Sequence, residues 1–280
     1  MQIKTHTLNC KGKLLTIDTP IIMGILNVTP DSFFDGGKYV SNISVLVQVD
    51  KMLYEGATII DIGGFSTRPN AELISEEEEL KRIVPIIQTI HQHFPEAILS
   101  IDTFRSDVAE AAIVNGASVI NDISGGTEDE RIFEVAAKYN CPYILMHRQG
   151  NLNTMHQEKN YTNLLVDMLD YFIKQTKKAR DFGVKDVVVD VGFGFSKTVE
   201  QNYSLLKNMA VFKQLDQLIL VGLSRKSMLY KLLETTAENA LNATTITNTI
   251  ALQNGANILR VHDVKEAVEC VKIYNKMMSV

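Results

Sequence analysis

At 280 residues, 45% of them hydrophobic, the chain is long enough to bury a large core, either as one α/β barrel or as two smaller domains. A net charge of −5, with no basic block beyond the helix-like stretch Lys174 to Arg180, argues against a nucleic-acid partner. Cys10, Cys141 and Cys270 are scattered and lack CxxC spacing, and no apolar run approaches the roughly 18 residues of a membrane span. Disulfide frameworks, zinc sites and membrane association are therefore not expected, and a reducing cytoplasm is.

Residues 1–18 alternate loosely about Cys10-Lys11-Gly12-Lys13 and read as a hairpin lid under a barrel, with residues 19–280 forming the barrel as one domain. Ile21, Ile22, Met23 and Ile25 around Gly24 form a short buried strand that stops at Asn27 and opens into the polar loop 28–37. Val45, Val49, Met52 and Leu53 recur at helical spacing until Gly56, and the β-branched run Thr58 to Ile62 follows. That second strand also opens into a polar loop, 63–69. Ser75 then reads as an N-cap, with Glu76 to Glu79 placed to complement the positive helix end rather than to bind metal.

The unit repeats. Ala97 to Ile101 ends at Asp102, and a short helix runs from Ser106 to about Gly116. Ser118 to Ile120 ends at Asn121-Asp122, with a helix over 128–139, and Pro142 to Met146 ends at His147, with a helix over 161–182. Asp186 to Val189 ends at Asp190, with a helix over 202–212. Leu218 to Gly222 ends at Ser224-Arg225-Lys226, and Asn257 to Leu259 ends at Arg260-Val261-His262 before the closing helix 263–278. Eight strand-then-helix units predict an α/β protein built as a single closed (β/α)8 barrel, a TIM barrel with a short N-terminal β-hairpin.

In such a barrel, chemistry gathers at the carboxyl ends of the strands. Asn27, Asp61, Asp102, Asn121, His147, Asp190, Lys226, Arg260 and His262 collect there, with Arg68 on a loop. Asp102 and Asp190 accept hydrogen bonds and Asn121 both donates and accepts. Together they match a flat heterocycle that presents adjacent N–H donors and a carbonyl, as a pterin does. Arg68, Arg260, His262 and Lys226 suit a phosphate or pyrophosphate, and the Asn27 amide oxygen suits a magnesium ion already held by phosphates. Each has a plainer competitor: a strand-end aspartate such as Asp102, just before Thr103 and Ser106, can serve only as a helix cap, and Met146 and His147 fit core as well as pocket wall. His91 and His93, near the end of an amphipathic helix, are expected in solvent.

The segments MGILNVTPDSFFDGG, GGFSTRPNA, SIDTFRSDVAEAA, INDISGG, LMHRQGN, DVGFGFSKT, GLSRKSM and LRVHDV, in this order over nearly the whole chain, resemble the motif series of the dihydropteroate synthase family. The resemblance implies a pterin-binding TIM barrel that joins 6-hydroxymethyl-7,8-dihydropterin pyrophosphate to 4-aminobenzoate, with magnesium as cofactor and a homodimer as the common assembly. It carries the pterin pocket onto Asp102, Asn121, Met146, Asp190, Phe195 and Lys226. The pyrophosphate site falls on Asn27, Thr67, Arg68, Arg260 and His262, with Asn27 as metal ligand. The aminobenzoate site falls on Phe33, Thr67, Pro69, Lys226 and Ser227. Catalytic roles fall on Asp102, Lys226, Arg260 and the loop residue Asp35, and the loops 29–37 and 65–71 are implied to close over the pterin.

Three positions depart from the family pattern. Val191 replaces a proline, Phe65 replaces a polar residue, and Arg148 stands where a small or apolar residue is usual; the last two are expected near the mouth. The scattered cysteines offer no covalent nucleophile, and an arylamine needs no strong base. A methyltetrahydrofolate methyltransferase would share the carboxylate pocket, but it would not need Ser66-Thr67-Arg68-Pro69 or Ser224-Arg225-Lys226. A non-catalytic pterin-binding protein would not need Asn27, Arg68, Lys226, Arg260 and His262 together.

Overall fold

The computed structural model describes residues 5–28, 38–65, 74–152, 154–155 and 157–280, apart from the side chains of 38–41. The first elements, β1 (His6–Cys10) and β2 (Lys13–Ile17), pair antiparallel as the expected hairpin. Eight parallel strands then close on themselves: β3 (Ile21–Asn27), β4 (Ile59–Gly63), β5 (Ile98–Asp102), β6 (Val119–Asp122), β7 (Tyr143–Met146), β8 (Val187–Asp190), β9 (Leu218–Val221) and β10 (Ile258–Val261). β10 pairs with β3 to complete the ring. The chain is a TIM barrel.

Alternation along each strand divides its residues between two cores. Ile60, Ile62, Leu99, Ile101, Ile120, Leu259 and Val261 point outward into the layer shared with the surrounding helices. Met23, Ile59, Ile98, Val119, Ile144, Val188, Leu218 and Ile258 point inward near the strand starts, and Leu8, Cys10 and Ile17 of the hairpin pack against them. The hairpin thus plugs the amino-terminal end of the barrel, tied down by a hydrogen bond from Asn9 N–H to Asp186 Oδ2 at 2.7 Å and from Lys11 Nζ to Ile113 O at 2.7 Å. One inward layer higher the lining turns polar, with Asp61 opposite Ser100 in register and Asp102 opposite both Gly63 and Asn121. The apolar floor and polar roof define which end can bind a solute.

The outer helices include α1 (Lys38–Glu55), α2 (Glu76–His93), α3 (Ser106–Val114), α4 (Arg131–Tyr139), α5 (Leu164–Asp181) and α6 (Val199–Asn208). They continue with α7 (Ser227–Leu232), α8 (Leu241–Gln253) and α9 (Val264–Met278). Several boundaries differ from the sequence expectation for local reasons. α5 begins three residues after Tyr161 because Asn163 caps it, its side chain accepting from Val166 N–H. α6 begins at Val199 under a Thr198/Gln201 capping box and ends in a 3₁₀ segment, Met209–Leu215, rather than running on to Phe212 as one helix. β10 extends through Arg260 and Val261, since Leu259 and Val261 both face the helices and leave Arg260 inside. The short α7, six residues long, carries no strong periodic signal in the sequence.

At α2, Ser75 does cap, accepting from Glu78 N–H, with Glu76 to Glu79 in the first turn, and Glu79 is in addition fully buried and paired with Arg105. No helix among the described residues is long and apolar enough to cross a membrane.

Candidate active site

The polar layer at the carboxyl end centres on Arg260. Its Nε donates to Asp61 Oδ2 at 2.6 Å and its Nη2 to Asp102 Oδ2 at 2.6 Å, so one planar guanidinium joins strands β4 and β5. Burial alone would depress it, but Asp61 and Asp102 hold it above its ordinary range. Asn121 Nδ2 donates to the same Asp61 oxygen at 2.9 Å, which fixes the orientation of the amide. Asp102 is pushed up to about 7 by burial, against the pull of Arg260, with Asp61 adding to the rise. Among the described residues, Asp61 Oδ1 and Asp102 Oδ1 have no hydrogen-bond partner.

Beside this network, Asp190 closes β8 and accepts from Gly192 N–H at 2.8 Å; burial raises its carboxyl. Lys226 follows β9 and lays its ammonium 4.4 Å from the Phe195 ring centroid, pushed down to about 8 by burial and by the Arg260 charge. Met146 and Phe195 belong to one apolar cluster at this mouth, with Phe65, Phe104, Ile123 and Met155. The arrangement therefore offers two separated carboxylates, an oriented amide, a cation over an aromatic ring and an apolar wall. That set suits a flat, donor-rich heterocycle.

Toward the rim, Asn27 ends β3, and His262 follows β10 at the surface. Ser224 Oγ and His262 Nδ1 lie 3.0 Å apart, and His262 N–H donates to Ser224 Oγ at 3.2 Å. Desolvation, and then the Arg260 charge, push the imidazole down to about 4, so it is neutral at pH 7. Ser227 opens α7 next to Lys226. The structure thus brings Asn27, Asp102, Asn121, Met146, Asp190, Phe195, Lys226, Ser227, Arg260 and His262 to one end of the barrel. Phe33, Asp35, Thr67, Arg68 and Pro69 lie outside the described residues.

The plainer reading of Asp102 does not hold. Ser106, at the start of α3, is met by Asp129 instead, through N–H at 3.1 Å and Oγ at 2.5 Å, which leaves Asp102 to Arg260. His147 is core, with its ring against Tyr171 at 4.9 Å and Nδ1 3.3 Å from Lys197 Nζ. Arg148 is buried, 4% exposed, and spends its guanidinium on Ile123 O, Gly150 O and Glu128 Oε1 rather than presenting it to a ligand. Phe65 is buried edge-on against Phe104, ring centroids 5.5 Å apart, within the apolar wall. Arg225 turns away from the site to grip Asp263 with Nε and Nη2.

Two residues without an assigned role prove integral. Asp61 was visible as a strand-end carboxylate, and its signal is a charge at an inward position of the run Ile-Ile-Asp-Ile. Lys197 gave no signal, since a lysine after a glycine-rich turn reads as solvent-facing. It is buried, donating to Gly192 O at 2.9 Å and Phe195 O at 3.1 Å, and so braces the turn that carries Phe195.

Magnesium can be tested against the donor set. Among the described residues no three His, Cys, Asp or Glu side chains form a metal cluster. A Cβ placed on Gly63 would lie 3.6 Å from Asp102 Cβ and 3.8 Å from both Asn27 Oδ1 and Asp102 Oδ2, so the two oxygens lie on the same side of the glycine. A single amide oxygen next to a carboxylate fits an ion whose other ligands are water and phosphate, and does not fit a protein-caged metal.

Comparison with known proteins identifies the family. A family model described as pterin binding enzyme matches residues 23–262. The dihydropteroate synthase of Haemophilus influenzae is 42% identical over 269 residues, covering 95% of this chain and 97% of that protein. That of Bacillus subtilis is 39% identical over 279 residues, covering 99% and 95%. Among solved structures, the Xanthomonas albilineans dihydropteroate synthase with 4-aminobenzoic acid superposes with a TM-score of 0.91 at 32% identity, covering 99% of this chain and 100% of that one. The Yersinia pestis dihydropteroate synthase in a sulfonamide drug complex gives 0.90 at 39%, with the same coverage. By matched length and identity together, the chain belongs to the pterin-binding enzymes, in the dihydropteroate synthase family.

Proposed function

We propose that the site condenses 6-hydroxymethyl-7,8-dihydropterin pyrophosphate with 4-aminobenzoate to 7,8-dihydropteroate and pyrophosphate. The observation that carries the assignment of roles is the Arg260 fork on Asp61 and Asp102, which sets an anion-binding cation directly beside a carboxylate able to read a heterocycle. Asp102, Asn121 and Asp190 bind the pterin edge, Lys226 its carbonyl, and Met146 and Phe195 its ring faces. Arg260, His262 and Asn27, with Thr67 and Arg68, hold the pyrophosphate. Phe33, Thr67, Pro69, Lys226 and Ser227 receive the aminobenzoate.

The bond between the pterin methylene and the pyrophosphate oxygen breaks with its electron pair on the leaving group, which Arg260 stabilises. The Asp102 carboxylate stabilises the positive charge left on the pterin methylene, a role in which the loop residue Asp35 assists. The arylamine nitrogen supplies the pair for the new C–N bond and loses a proton. Asn27 would hold a magnesium ion brought in with the pyrophosphate, and that ion would supply positive charge against the leaving group. Burial holds Cys10 and Cys141 up to about 12, so neither is a thiolate nucleophile at neutral pH.

A cytoplasmic location is supported by three buried free cysteines. A homodimer is supported by the apolar stripe that exposes Ile246 and Ile250 on α8 and Ile273 and Met277 on the adjoining α9. The deciding measurement of function is pyrophosphate release with magnesium and the dihydropterin pyrophosphate, with and without 4-aminobenzoate. Release that needs the aminobenzoate and yields dihydropteroate is expected. Tight pterin binding without release would leave a binding protein.

A further inference from the structure

Asp61 is fully buried, so it does not itself meet a ligand, yet its Oδ2 takes two donors that do. These are Arg260 Nε at 2.6 Å and Asn121 Nδ2 at 2.9 Å. It sits one inward layer below Asp102, because Gly63, two residues along β4, is the register partner of Asp102. Arg260 is thus held at two points. The lower one, at Asp61, is sealed in the barrel. The upper one, at Asp102 Oδ2, lies where the heterocycle binds. Asp102 Oδ1 has no partner among the described residues, and a pterin edge with two neighbouring N–H groups takes up that oxygen and competes for Oδ2.

We propose that Asp61 is the positioning residue of the reaction: it keeps Arg260 in the anion site when the pterin takes Asp102 away from it. The upper bond yields, and the lower one stays. Nη2 turns toward the pyrophosphate while Nε remains fixed, so the guanidinium pivots rather than swinging out to solvent. The shared oxygen ties the amide that reads the pterin to the cation that reads the leaving group. A buried ion pair kept only for stability would need no such sharing, since well-packed apolar residues do as well or better. The proposal rests on the condensation reading for the identity of the anion, and its test does not depend on turnover.

The experiment measures two dissociation constants by calorimetry in magnesium buffer: that of 6-hydroxymethylpterin, and that of inorganic pyrophosphate with the pterin saturating. Wild type, Asp61→Asn, Arg260→Met and the double variant are compared, with thermal melts of each. Asp61→Asn keeps an oxygen for both donors but removes its charge. It is expected to change pterin affinity less than threefold and to weaken pyrophosphate at least tenfold. In the Arg260→Met background the same substitution is expected to change pyrophosphate affinity less than twofold, because its effect runs through the arginine.

Pyrophosphate affinity in Asp61→Asn within twofold of wild type, or losses that multiply in the double variant, would overturn the proposal. So would wild type that does not bind pyrophosphate. Arg260→Lys is the second variant and covers the case in which Asp61→Asn does not fold. It keeps the charge but lacks the fork that spans both carboxylates, and near-normal pyrophosphate affinity in it would equally reject the pivot. Absence of aminobenzoate-dependent release, with these affinities as expected, would strike the reaction and leave Asp61's role standing.

Discussion

At Asp102 two roles were open to the side chain, helix cap or ligand group, and a neighbour decided between them. Asp129 takes the cap, and Asp102 is left facing Arg260 in a desolvated pocket. With charge loss as its only change, Asp102→Asn is expected to lower kcat by roughly a hundredfold or more while the protein still melts cooperatively. Steady-state kinetics with a thermal melt checks both. The same pocket sets a pH window. Asp102, raised to about 7, must lose its proton to accept from the pterin, and Lys226, lowered to about 8, must keep its own to act as a cation. The profile of kcat/KM against pH is therefore expected to rise through about 7 and fall above about 8, limbs that belong to the coupled cluster rather than to either residue alone. A profile flat from pH 6 to 9 would remove both assignments.

At the scale of elements, the turn after β8 shows how backbone conformation carries function. Gly192 has φ +65°, and a Cβ there would stand 2.1 Å from His147 O, so Gly192→Ala must move a backbone whose N–H holds Asp190. A loss of about 3 kcal/mol is expected from left-handed strain plus overpacking, with a raised KM for the pterin substrate. Urea unfolding and initial rates read the two effects separately. The loss of proline at Val191 is expected to cost little, because Val191 is fully buried in the outer core and the glycine does the turning.

Lys197 braces the same turn from below, pushed down to about 7 by burial although three acceptors meet its ammonium. Since its folded pKa lies below the unfolded 10.5, the unfolded chain takes up the proton first as pH falls, and wild-type stability drops between about 10.5 and about 7. Lys197→Met lacks that slope. Its stability relative to wild type is expected to improve by about 3 kcal/mol between pH 9.5 and pH 7, and denaturant titrations at those two pH values would show it.

Over the whole molecule, the two ends of the barrel divide the labour. The hairpin buries Leu8, Cys10 and Ile17 against the strand starts, on the side away from Asp102 and Arg260. Ile17→Ala is expected to cost about 3 kcal/mol in unfolding free energy and to leave kcat at 25 °C unchanged, a pairing that denaturant melts and rate assays can contradict independently. Much of this plan was legible in the chain itself. Period-two strands, helical stripes and polar strand ends are local patterns, so the eight units, the plugging hairpin and the collection of Asn27, Asp102, Asn121, Asp190, Lys226, Arg260 and His262 at one end follow from order and spacing alone. What no local pattern holds is which side chain meets which across the ring. That Arg260 joins Asp61 to Asp102, that Lys197 is buried under Phe195, and that Arg148 pairs with Glu128 depend on barrel closure and strand register. Closure brings residues 199 and 158 positions apart within hydrogen-bond reach, and at such separation only the tertiary structure selects the partner.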